Sequence, residues 1–266
     1  MDLRSRFGLH ATPFTREITV AHRFVHPQFD DVLRELRAVL DGRMSAAVIA
    51  PAGTGKTALI RALRDGLPEA RYRIHYVPHS SLSKRDMCRE ITAALGLASA
   101  GSTPGMLRAV RDAVCGATTD GLRSVLLLDD AHELRPDVIG LLKTLTNYEM
   151  DSRLVLSVVL IGQPRLAELL RRPDLDDVAR RLAHYATLRP LSRDEIRAYV
   201  VHRCTVAGAA NDPFDDAAHD AVFEIGRGNL RATDRLGLKS LQVAAGHQRD
   251  VVDASCVVEA RRALWP

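Results

Sequence analysis

Two short stretches carry residues able to handle phosphate. Ala50-Pro-Ala-Gly-Thr-Gly-Lys-Thr57 brings two glycines, a lysine and hydroxyls together, and Val125-Leu-Leu-Leu-Asp-Asp130 ends an apolar run on paired carboxylates. Gly53 and Gly55 let the backbone bend until its amides face anionic oxygens, and the helix expected beyond them adds its positive end. Pro51, Ala52, Thr54 and Ala58 complete the cradle around them. Lys56 is placed to reach the β and γ phosphates, while the Thr57 hydroxyl and the Asp129 carboxylate suit a magnesium ion. The chemistry indicated is binding of a magnesium nucleoside triphosphate. Ala50 stands where the phosphate-loop pattern opens with glycine, and its one methyl group is compatible with strand-like backbone there.

Hydrolysis needs an aligned water as well as bound phosphate. Asp130 follows the metal acid where a glutamate is usual and is one methylene shorter. Either Asp130 polarises the water or Glu133, on the next turn, assists; the alternative role of Asp130 is to cap the turn. Gln163, between Gly162 and Pro164 at the end of an apolar run, is a candidate reader of the γ phosphate or a simple turn residue.

These groups require a scaffold of alternating elements. Phe29, Val32, Leu33, Leu36, Val39 and Leu40 recur at helical spacing over 26–41, which predicts an amphipathic helix before the first strand. Strands are expected at 46–50, 71–78, 125–129, 154–161 and 184–188, with helices at 57–64, 84–96, 104–116, 136–145 and 166–170, and a charged linker after the last of these. The apolar runs at 125–129 and 154–161 suit parallel strands covered on both faces. From Ser192, which with Glu195 forms a capping box, the pattern is helical only: 193–207, 215–226, 231–245 and 253–262. The fold class is α/β, a P-loop three-layer domain with a five-stranded parallel sheet followed by a small all-helical lid. The expected divisions are an N-terminal segment and helix over 1–45, the nucleotide-binding domain over 46–191 and the lid over 192–266. The first dozen residues are expected to be loosely held.

Composition sets outer limits. Of 266 residues, 46% are hydrophobic and 26% charged, which suits a globular chain. No uncharged apolar stretch of 18 residues and no signal-peptide core is present, so a cytoplasmic protein with no membrane contact is expected. Cys88, Cys115, Cys204 and Cys256 are far apart, as reduced core cysteines are. The net charge of +4 leans only weakly towards a polyanion.

Several segments together resemble the AAA+ ATPases of the ExeA or GspA type and the related transposition helper ATPases of the TnsC, TniB and MuB group. Phe7-Gly-Leu-His-Ala-Thr-Pro-Phe14 is similar to the family's amino-terminal segment, and Asp129-Asp-Ala-His-Glu-Leu134 to its DEAHxL segment with aspartate replacing glutamate. Ile161-Gly-Gln-Pro-Arg-Leu166 resembles its VGQPEL-like turn, and Arg189-Pro-Leu-Ser through Arg203 its entry to the lid. The resemblance implies ATP and Mg2+ as ligands, ATP hydrolysis, and a homo-oligomer, ring or filament. It also implies that an arginine of one subunit completes the site of the next: Arg180 or Arg181, with Arg181 favoured. Gly228-Asn-Leu-Arg231 resembles the start of a lid helix whose arginine contacts phosphate, which assigns that part to Arg231.

The secretion members of the family carry a transmembrane segment and a wall-binding domain after the ATPase, and this chain ends at Pro266. The expectation is therefore the transposition branch: an ATP-dependent regulator on double-stranded DNA that recruits or activates a transposase or targeting protein. For DNA phosphates the candidate is the turn 79–85, with Ser81, Ser83, Lys84 and Arg85; a second is the helix face bearing Arg108 and Arg111. The alternatives are an ATPase switch acting on protein partners without DNA, as in secretion, and a weakly hydrolysing, ATP-stabilised scaffold. No separate acidic cluster suggests a nuclease.

Overall fold

The computed structural model describes residues 3–78, 81–98, 101–148 and 154–264. In chain order the first elements are α1 (Leu3–Phe7), α2 (Pro27–Asp41), β1 (Ser45–Ile49), α3 (Lys56–Asp65), β2 (Tyr72–Val77), α4 (Lys84–Ala94), α5 (Thr103–Thr119) and β3 (Arg123–Leu128). There follow α6 (Pro136–Thr146), β4 (Leu156–Gly162), α7 (Arg165–Leu170), α8 (Asp176–Ala179), β5 (Leu182–Thr187), α9 (Arg193–Val206), α10 (Asp216–Gly226), α11 (Leu230–Gly246) and α12 (Ala254–Leu264). Contacts group Pro27–Pro51 with Leu59–Leu188 in one unit, and Met1–His26, Ala52–Ala58 and Arg189–Pro266 in the other.

The first unit is built on a parallel five-stranded sheet of order β2-β3-β4-β1-β5. The central strands β3 and β4 are apolar on both faces because both faces are covered. On one face Leu126, Leu128, Val158 and Leu160 meet Met87 and Ile91 of α4, Met106 and Val110 of α5 and Ile139 of α6. On the other, α2 buries Val32, Leu33, Leu36, Val39 and Leu40 and packs against β1 and β5. Local signals start the helices where steric and hydrogen-bonding rules require. Ser83 and Ser102 cap α4 and α5, and proline occupies the first turn of α5 and α6. The segment expected as a charged linker contains the single-turn helix α8, because Leu175 and Val178 turn inward and are buried at 2% and 4% exposure. The fifth strand starts two residues earlier than its apolar pattern indicates, since Leu182 pairs with Ser45 before a register shift.

In the second unit α9 opens on the expected capping box between Ser192 and Glu195. Ile196, Val200, Leu236, Leu241 and Val257 form the core of α9–α12. The amino-terminal residues are held rather than loose. Leu9 and Phe14 are buried at 6% and 4% exposure, and Leu3 and Phe7 pack on the same helical core. Gly237 makes room for Phe14: a Cβ there would lie 2.8 Å from its ring. Arg203, buried in this unit, binds Asp234 at 3.2 Å and donates to the Thr15 carbonyl at 2.6 Å, tying the amino-terminal segment to α9. Among the described residues no helix is long and apolar enough to cross a membrane.

Candidate nucleotide site

β1 leads the chain to Ala50, which is wholly buried and donates its N–H to the Gly162 carbonyl at 2.9 Å. Its φ is not left-handed, so the alanine methyl is carried without backbone strain. The turn comes afterwards, where Gly53 and Gly55 take φ of 73° and 100°. Lys56 is the first residue of α3 and Thr57, exposed, the second, so the helix start lies directly behind the turn. Asn229 caps α11 by accepting from the Ala232 N–H, and its Nδ2 donates to the Ala52 carbonyl at 2.6 Å. The Arg231 N–H donates to the Gly53 carbonyl at 3.3 Å. A Cβ on Gly53 would fall 2.2 Å from Asn229 Oδ1, so this position needs glycine for space as well as for dihedral. Arg231, the second residue of α11, is thereby held beside the loop by its own backbone.

The acids lie just past β3. Asp129, at 8% exposure, receives the Asp130 N–H on Oδ1 at 2.9 Å and the Tyr76 hydroxyl on Oδ2 at 3.0 Å. Burial, then the Asp129 charge, push the Tyr76 hydroxyl up to about 12, so at neutral pH it remains a donor. A carboxylate offers about four lone-pair positions. The two donors therefore orient the group and leave it able to ligate a cation, which fits magnesium. Asp130 adopts φ 48°, ψ 33°, the left-handed region that costs a non-glycine residue energy and recurs at functional sites. This bend turns its carboxylate outward to 53% exposure, and Glu133 is similarly open at 54%. Between them the His132 side chain is 8% exposed. Its Nε2 lies 2.8 Å from the Gln163 amide nitrogen, and its Nδ1 is 3.9 Å from Asp130 Oδ1. Gly162 permits this approach: a Cβ there would be 3.0 Å from the His132 backbone nitrogen. Asp129, Asp130, His132, Glu133 and Gln163 thus gather at the C-terminal ends of β3 and β4.

Arg180 and Arg181 sit apart from that group, immediately before β5. Arg180 pairs with Asp176 at 2.7 Å on the surface of α8, and Arg181 is partly buried. Lys143 above all, then Arg181 and Arg180, hold the Asp177 carboxyl below its ordinary range. Because the strands are parallel, the start of β5 lies at the opposite end of the sheet from Asp129, across strands of five to seven residues and hence about 16–23 Å of chain rise. At the β2 edge, Ser83 is occupied in capping α4, and Ser81, Lys84 and Arg85 are exposed. His79 and Ser80 of the same turn lie outside the described residues. Arg108 and Arg111 are exposed on α5, which packs beside α4.

Sequence patterns alone assign no role to Tyr76, His132 or Asn229. Tyr76 reads as one residue of an alternating strand, and only the pairing of β2 with β3 places it beside Asp129. His132 and Asn229 stand inside quoted motifs, and that position is the signal that could have drawn attention to them.

The AAA domain family model matches residues 30–170. General secretion pathway protein A of Aeromonas hydrophila is 33% identical over 225 residues, covering 84% of this chain and 41% of that protein. The chain therefore spans about two fifths of that relative. Among solved structures, Cdc6p of Pyrobaculum aerophilum gives a TM-score of 0.76 at 18% identity, covering 99% of this chain and 71% of that one. The ORC1 protein of Aeropyrum pernix in complex with DNA gives 0.70 at 19% identity, covering 94% and 68%. The RuvB Holliday junction branch migration motor of Thermotoga maritima gives 0.61 at 19% identity, covering 90% and 70%. At these identities the structures share the fold.

Proposed function

The chain belongs to the AAA domain family of P-loop ATPases, and from that premise we propose that it is an ATP-hydrolysing regulator that oligomerises on duplex DNA and recruits or activates a transposase. The loop amides of Gly53 to Thr57 and the Lys56 ammonium bind the phosphates, within the cradle of Pro51, Ala52 and Ala58. Thr57 and Asp129 would hold Mg2+, which would neutralise phosphate charge as it develops. Asp130, turned outward by its left-handed backbone, accepts a hydrogen bond from the attacking water and aligns it, with Glu133 as its neighbour in that role. Gln163 contacts the γ phosphate, and Arg231 brings the start of α11 to the nucleotide.

One observation carries the assembly part of this reading. Arg181 stands at the entry end of β5 and Asp129 at the exit end of β3 in one parallel sheet. An arginine so placed is far from its own acid cluster and suited to a neighbouring subunit's nucleotide. Catalysis and assembly then become one event, with Arg180 the alternative donor.

DNA is the partner best matched by Lys84 and Arg85 at the start of α4 with Arg108 and Arg111 on the adjacent helix. Such side chains read phosphates, so binding should tolerate sequence and weaken steeply with salt. Measuring ATP turnover and assembly with and without duplex, over a salt series, tests the proposal. Stimulation by duplex that disappears in Lys84→Ala/Arg85→Ala, with ATP binding intact, is expected; binding and assembly with negligible turnover would instead mark an ATP-stabilised scaffold. The similarity to a secretion pathway protein favours a second reading, a nucleotide switch acting on protein partners. That reading requires turnover and assembly indifferent to DNA.

A further inference from the structure

We infer that His132 is a positioning residue that links the γ-phosphate contact at Gln163 to the carboxylate of Asp130. This inference rests on the ATPase reading above. It concerns a side chain that reading leaves unused.

His132 occupies the single 3-10 turn Ala131–Glu133 that follows the acid pair, and its ring is enclosed. One ring nitrogen, Nε2, lies 2.8 Å from the Gln163 amide nitrogen, with a Glu133 carboxylate oxygen at 4.0 Å. An amide NH2 can only donate. Nε2 must therefore present its lone pair, and the ring proton belongs to Nδ1. Nδ1 is buried, has no hydrogen-bond partner and faces Asp130 Oδ1 at 3.9 Å. That separation is too long for a hydrogen bond, but rotation of an exposed carboxylate can close it. Leaving a buried N–H unpaired is unfavourable, so a carboxylate within reach is its natural acceptor.

The resulting order is carboxylate, imidazole, amide. A carboxylate on the Nδ1 side fixes the tautomer of an imidazole, as it does in hydrolytic triads. Here the fixed tautomer dictates which end of the Gln163 amide faces the ring. One N–H of Gln163 is spent on His132, and the second is directed elsewhere with its position set. A phosphate oxygen that draws on this amide changes the hydrogen bond at Nε2, and thereby the pull of Nδ1–H on Asp130. Gly162 belongs to the same device, because any side chain there would press on the His132 backbone nitrogen at 3.0 Å. Asp130 is a responsive end for it, already bent into a left-handed turn and exposed.

The test uses the full chain. Histidine labelled with 15N, with His132→Asn to assign the resonance, reports the tautomer in the unmodified protein. The proton is expected on Nδ1, and Asp130→Asn is expected to shift the balance towards Nε2. A wild-type ring protonated at Nε2 overturns the inference. Turnover is then compared for His132→Ala, Gln163→Ala and the pair. Each single change is expected to lower kcat by about 10-fold or more with ATP affinity altered less than about 3-fold. The double variant should be no slower than the worse single one. Losses that multiply, or a His132→Ala protein of reduced thermal stability and unchanged kcat, reject it. Failure of the wild-type protein to bind or hydrolyse ATP would sink the ATPase reading instead, and the tautomer measurement tells the two failures apart.

Discussion

At the residue scale the acid cluster works through donors that orient it. Asp129 receives two hydrogen bonds, one from its neighbour's backbone and one from Tyr76 on the adjacent strand. Tyr76→Phe removes the second, a loss of about 1 kcal/mol. The Mg2+ concentration giving half-maximal turnover should therefore rise several-fold, while nucleotide binding without the metal stays unchanged. An unaltered Mg2+ dependence would reduce Tyr76 to a packing residue. Gly53 is constrained more severely, by φ of 73° and by the Asn229 side chain together. Gly53→Ala should abolish ATP binding measured by titration calorimetry even where circular dichroism reports a folded chain.

At the element scale the strands hold the acids and the helix caps hold the entry to α9. Leu126 lies wholly buried in β3, three residues before Asp129. Leu126→Ala should lower unfolding free energy by about 2–5 kcal/mol in a denaturant titration. In the helical unit, Glu195 accepts from Arg189 through both oxygens and from the Ser192 N–H, and lies 2.7 Å from His26. The Arg189 guanidinium above all, with the Ser192 N–H and His26, holds its carboxyl well below the usual value of 4.5. A depressed carboxyl contributes stability that is present above the unfolded value and is lost as pH falls towards the folded one. Arg189→Ala should therefore lower the melting temperature at pH 7 and matter progressively less as the medium is acidified below about pH 4. An equal difference at both extremes would remove this pair from the acid response.

At the scale of the whole molecule the two ends of the sheet carry different groups. The acids stand at the exit end of β3, and Arg181 at the entry end of β5. If Arg181 acts on a neighbour, Arg181→Ala subunits keep a sound acid cluster and Asp130→Asn subunits keep a sound arginine. Mixed together, the two should hydrolyse ATP faster than the sum of each alone. A mixture that merely averages its components would return Arg181 to a surface role.

The amino-acid sequence by itself determined the α/β class, the phosphate loop, the acid pair and the helical tail. Each is a local matter of glycine dihedrals, apolar periodicity or capping chemistry within one contiguous stretch. It also contained the apolar anchors Leu3, Phe7 and Phe14, yet without α9–α12 to receive them the first residues read as loose. Only the tertiary structure decided which side chains orient the site. Tyr76 meets Asp129 across 53 positions, Gln163 meets His132 across 31, and Asn229 meets Ala52 across 177. Such pairings follow from strand order and from the fold of the chain back on itself, which periodicity along one segment does not encode.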